Sequence, residues 1–111
     1  MSTLGVTTDR DAGHTRIALS GELDIANAER LETELASIEA ESPATLVLDL
    51  RQVEFMDSTG LRTVLAASER ARTNGRRMVV VRGSAAVDRL FDITQVDQQL
   101  EVVDDPELIQ S

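Results

Sequence analysis

The period of the apolar positions changes several times along this chain, and each change marks an element. Residues 3–8 (TLGVTT) and 15–21 (TRIALSG) are short apolar and β-branched runs on either side of the polar sequence DRDAG, which predicts a β-hairpin. The spacing then turns helical. Ile25, Ala28, Leu31, Leu35 and Ile38 fall on one face and Glu29, Arg30, Glu32 and Glu34 elsewhere, with Asp24 placed to cap the helix start. The sequence SPA closes this helix. Residues 45–50 (TLVLDL) are apolar but for one acid, the pattern of a strand covered on both faces. A second helix is predicted after Ser58, with Leu61, Val64, Leu65 and Ser68 as its stripe and Gly75 as its C-terminal stop. RRMVVVRG is another buried strand, and SAAVDRLFDITQV a short helix with Val87, Leu90 and Phe91 inward. QLEVVDD is a last strand, and PELIQS a terminal turn or short helix with proline at a tolerated first position.

This order, β-β-α-β-α-β-α-β with a small terminal helix, predicts an α/β fold. Its sheet is mostly parallel, with four to five strands, opened by an N-terminal antiparallel hairpin and packed by about four helices. No repeat, low-complexity tract or linker divides the 111 residues, so one domain spanning 1–111 is expected. In open sheets of this kind, function gathers at the carboxyl ends of strands. Both GELD (21–24) and FMDST (55–59) fall at such ends.

Charge and composition remove several classes of function. A net charge of −9 argues against nucleic acid and anionic lipid, both of which call for clustered cations. No apolar run approaches the ~20 residues that span a bilayer. The N-terminus lacks the basic start and apolar core of a secretory signal, and there is no cysteine, so the cytoplasm is the expected location. All eleven cations are arginine. The chain thus has no lysine for a Schiff base, a phosphate loop or a phospho-accepting receiver site. His14 is the only imidazole and lies in the polar sequence DRDAGH, where solvent exposure is expected; a serine hydrolase would need it to reach Ser58 from the first hairpin. Neither an enzyme nor a metal or cofactor site is expected.

The stretch FMDSTGL remains. Asp57, Ser58 and Thr59 stand before a glycine and an apolar run, where one of them is needed as a helix cap contributing ~0.5–2 kcal/mol. Three small polar side chains exceed that need, and the apolar pair Phe55-Met56 just before them could supply binding surface or core. A hydroxyl at a helix start can also carry a phosphate. The fold would tolerate an added charge of roughly −1.5 to −2 beside free N–H groups, whereas a docked partner would have to desolvate it next to Asp57. A change of ~3 kcal/mol would weaken binding about a hundredfold.

GELD (21–24), LVLDL (46–50), FMDSTGL (55–61) and VDRLFDITQV (87–96), in this order and spacing, resemble the STAS domain of bacterial anti-sigma-factor antagonists. The resemblance runs from about Leu4 to Val103. It implies a sheet of four or five strands packed by helices, and a partner-switching role. In that role the unphosphorylated protein binds an anti-sigma factor that is also a serine kinase and so frees the sigma factor. Phosphorylation of one serine from ATP ends the binding, and a metal-dependent serine phosphatase restores it. The phosphorylated serine of the family matches Ser58, and Thr59 stands where many relatives have a second serine, making it a minor alternative acceptor. Asp24 and Asp57 match acidic positions beside that site, and the resemblance together with the residue pattern gives Asp24, Met56, Asp57, Ser58 and Thr59 as the partner surface. Other members of the family are scaffold or lipid-transport components without a phosphorylation cycle, which is the alternative role.

Overall fold

The computed structural model describes residues 3–11 and 13–109. Its first hairpin is longer than the apolar runs suggest. Strands β1 (Leu4–Asp11) and β2 (His14–Leu23) pair antiparallel from Leu4–Gly21 to Asp11–His14, and Ala12 lies outside the described residues. His14 therefore opens a strand, half-exposed, instead of sitting within a polar turn. The chain continues through α1 (Ala28–Glu39), β3 (Thr45–Met56), α2 (Ser58–Thr73), β4 (Arg77–Val81), α3 (Ala85–Thr94) and β5 (Glu101–Val103). The strands lie in sequence order, β1-β2-β3-β4-β5, and every pair after the hairpin is parallel.

There are three α-helices where about four were expected. The terminal segment forms only a 3-10 turn, Pro106–Leu108, with Asp105 accepting from the Glu107 N–H at 2.9 Å; Gln110 and Ser111 lie outside the described residues. A second 3-10 turn, Val96–Gln98, leads from α3 into β5.

With strands in sequence order, right-handed crossovers carry successive helices to the same face of the sheet. Leu31, Leu35 and Ile38 of α1, Leu61, Val64 and Ala67 of α2, and Val87 and Phe91 of α3 join one core with Ile17, Leu19, Leu46, Leu48, Leu50, Met78 and Val80. Each of the Val, Leu, Ile, Met and Phe side chains withdrawn from water contributes about 1.5–3 kcal/mol. Val47, Val79 and Val81 alternate with these residues, face the other way, and are buried too. On that second face Pro106 and Ile109 share a cavity with Val47, His14 and Arg16. The apolar run of β3 is thus covered from both sides. Asp49 is buried among it, and burial works against its charge. The Arg51 guanidinium, at 2.7 Å, and the Arg51 backbone N–H outweigh that cost and hold the carboxyl below its ordinary range.

The start of α1 departs from the helical stripe. Asp24 does not cap it: the helix begins at Ala28, after Asn27, which makes no side-chain cap bond. Residues 24–27 instead form a turn. The Ala28 N–H donates to the Asp24 carbonyl at 2.8 Å and the Ala26 N–H to the Asp24 carboxylate at 3.0 Å. The Asn27 side chain braces this turn, accepting from the Asp24 N–H and donating to the Glu22 carbonyl. Ile25, expected on the buried stripe, is consequently 77% exposed.

Candidate functional site

The corner between β3 and α2 collects the polar residues singled out in the sequence. Asp57 is the N-cap of α2, in extended conformation, and its carboxylate accepts from the Gly60 N–H at 2.9 Å. One acid therefore does the capping, and the two hydroxyls after it are released from that duty. Ser58 is the first helical residue and is exposed; its hydroxyl has no hydrogen-bond partner among the described residues. Thr59 is half-buried. At the first two helical positions no intrahelical carbonyl is available to the backbone N–H groups, so the amides of Ser58 and Thr59 face outward beside the serine oxygen.

The second oxygen of Asp57 has a different task. It accepts from the Ile25 N–H at 3.0 Å, across 32 positions of sequence. The Asp57 N–H in turn donates to the Leu23 carbonyl at 3.2 Å. Gly60 lets the helix approach this close, since a Cβ there would stand 2.5 Å from the Leu23 oxygen. These contacts tie the carboxyl end of β2 to the start of α2. Asp24, half-buried, and Ile25 are thereby held on the same rim as Ser58.

The apolar pair before the site is arranged opposite to the expectation that Met56 binds a partner. Met56 is 5% exposed and belongs to the core, while Phe55 is 47% exposed. Two bulges explain it. Along β2 the inward residues keep a period of two, Thr15, Ile17, Leu19 and on to Leu23. Opposite them β3 carries an extra residue between the Ala18–Asp49 and Ser20–Gln52 pairs, and another between Gly21–Val53 and Glu22–Phe55. Each insertion reverses the side that faces the core, so the inward series reads Leu46, Leu48, Leu50, Val53, Met56. Met56 has almost no surface to offer, and Phe55 is the exposed member of the pair at the rim. Phe55, which the sequence left open as surface or core, and Ile25, which it placed on the buried stripe, are exposed rim residues absent from the expected partner surface. The available signal was the widening from two to three in the apolar spacing of β3.

Other expected neighbours are not brought together. His14 pairs with Thr45 at the amino end of the parallel strands, whereas Ser58 follows their carboxyl end. The imidazole and the serine hydroxyl therefore stand at opposite ends of the sheet, and the pair a serine hydrolase requires is not formed. Among the described residues no cluster of three or more His, Cys, Asp or Glu is placed to hold a metal, and no helix is long and apolar enough to cross a membrane.

The corner thus presents an exposed serine hydroxyl at the start of a helix that Asp57 caps, flanked by apolar and acidic side chains. The STAS domain family model matches residues 6–107, and the chain belongs to that family. It is 37% identical over 79 residues to the anti-sigma-F factor antagonist RsfB of Mycobacterium tuberculosis, a match covering 71% of this chain and 65% of that protein. It is 31% identical over 94 residues to the anti-sigma-B factor antagonist of Listeria monocytogenes, covering 85% of this chain and 82% of the relative. The crystal structure of an anti-sigma factor antagonist from Mycobacterium paratuberculosis matches at a TM-score of 0.82 and 27% identity, over 95% of this chain and 89% of that one.

Proposed function

We propose that this chain is an anti-sigma-factor antagonist, a cytoplasmic binding protein and not an enzyme. Its unphosphorylated form binds an anti-sigma factor serine kinase and frees a sigma factor; phosphorylation of Ser58 ends the binding. The observation that supports this reading most is Ser58 itself: exposed, unpartnered among the described residues, and relieved of capping by Asp57. Resemblance to relatives named as antagonists of anti-sigma factors supplies the partner class. The kinase would transfer the γ-phosphoryl group of ATP to the Ser58 oxygen. An O–P bond forms, the β–γ bridge breaks, and ADP and the hydroxyl proton leave. A serine phosphatase would reverse the modification by hydrolysis.

The physical switch is electrostatic. In the free protein the new charge is solvated and lies beside the unpaired amides at the start of α2. In a complex it would have to be desolvated next to Asp57 and the exposed apolar side chains of Ile25 and Phe55, which a tight interface cannot accommodate. Asp24 and Thr59 complete the proposed contact surface, with Thr59 as the lesser acceptor.

Incubation with the cognate kinase and magnesium ATP tests this. Mass spectrometry should place one phosphate on Ser58, Ser58→Ala should abolish it and stay bound to the kinase, and Thr59→Ala should leave it in place. Phosphate on a residue away from this corner, or none at all, would contradict the proposal and favour a scaffold role.

A further inference from the structure

Arg62 stands one helical turn after Ser58, and it is one of two arginines, with Arg89, that have no hydrogen-bond or ion-pair partner among the described residues. Eight of the other ten arginines pair with a carboxylate: Arg10, Arg16, Arg51, Arg70, Arg72, Arg76, Arg77 and Arg82. Arg30 donates to the Leu4 carbonyl. With 20 acids for 11 cations, an arginine readily finds a partner, yet among the described residues Arg62 has none and is exposed. Its own helix explains this. The positions three and four away are Ser58, Thr59, Leu65 and Ala66, and the first turn of α2 holds no acid. Helical side chains lean toward the N-terminus, so the side chain of residue 62 lies over the turn that carries residue 58.

We propose that Arg62 is the internal counterion of the phosphate: once Ser58 is phosphorylated, the Arg62 guanidinium donates to two phosphate oxygens across one turn of α2. This rests on Ser58 being the acceptor. Arg62 is a positioning residue in this role. A planar guanidinium matches phosphate geometry in a way a lysine ammonium does not. The pairing holds the dianion against its own helix and offsets the nearby charge of Asp57. The phosphorylated protein thus keeps its α2 corner intact while the rim is closed to a partner.

The test installs phosphoserine at position 58 during translation, so that no kinase is needed, and follows the phosphorus NMR signal against pH. The second ionisation of the phosphate should fall lower in the wild type than in Arg62→Gln, by about 0.3 pH unit, the size an exposed i,i+4 ion pair supports. Arg62→Lys should lie between them. At about 1 M salt, where the screening length is near 3 Å, the gap should shrink. Residue 62 is exposed, so these variants should fold as the wild type does. Identical titrations for wild type and Arg62→Gln, or a higher value in the wild type, would overturn the proposal. That result would leave open which residue the kinase modifies, a question answered separately by mapping the phosphate.

Discussion

Phe55 and Met56 are sequence neighbours on opposite sides of the same strand, and the difference sets what each can do. Met56 fills the core, so Met56→Ala should cost about 2–5 kcal/mol of unfolding free energy. Phe55, nearly half-exposed, should change stability by about 1 kcal/mol or less when cut to alanine, yet lower affinity for the kinase about tenfold. Urea unfolding and calorimetry on the two variants separate the roles; the reverse pattern would show that the second bulge is misplaced. Asp57 shows how far a residue's work can be read from sequence. That one of Asp57, Ser58 and Thr59 caps α2 was legible, because small polar residues before an apolar run are a local signal; that Asp57 is the one was not. Its bond to the Ile25 amide was not, because that partner lies 32 positions away and donates from the backbone.

The type and order of the elements were legible because burial imposes its own period on each. Two strands covered on both faces, β3 as far as Leu50 and β4, and three helices each covered on one leave different apolar spacings, and 12-residue α1 and 16-residue α2 run long enough to repeat them. Phase inside β3 was harder to read. A bulge is a mismatch in length between two paired strands, and one strand's pattern records only a widened gap. Ile25 was misassigned for a related reason. It sits three residues before Ala28, in helical register, but the turn at 24–27 interrupts the helix there. At this scale the contact between α2 and β2 makes a sharp demand. Gly60→Ala improves helix propensity by about 1 kcal/mol. The added Cβ would meet the backbone oxygen of Leu23, which cannot rotate away, so a net loss of about 1–3 kcal/mol is expected from urea unfolding. An unchanged or more stable variant would mean that the corner is looser than described.

Across the whole molecule, the sheet separates the packed core from the proposed switch site. The core lies between the helices and the middle strands, and on the second face Pro106 and Ile109, after β5, line a cavity with Val47. The α2 corner stands at the rim of both, exposed and reinforced by backbone bonds to β2. A charge added at Ser58 therefore enters no packed region and breaks no described hydrogen bond. Under the proposed function, this is the physical basis for a switch that alters binding and leaves the fold unchanged. The most direct measurement is calorimetry of the anti-sigma kinase with two forms of this chain, one unmodified and one carrying phosphoserine at position 58, their amide spectra compared in parallel. The account predicts affinity lower by about a hundredfold for the phosphorylated form, with spectral changes confined to residues around 24–27 and 55–62. Equal affinity, or a loss of affinity accompanied by changes throughout the sheet, would contradict it.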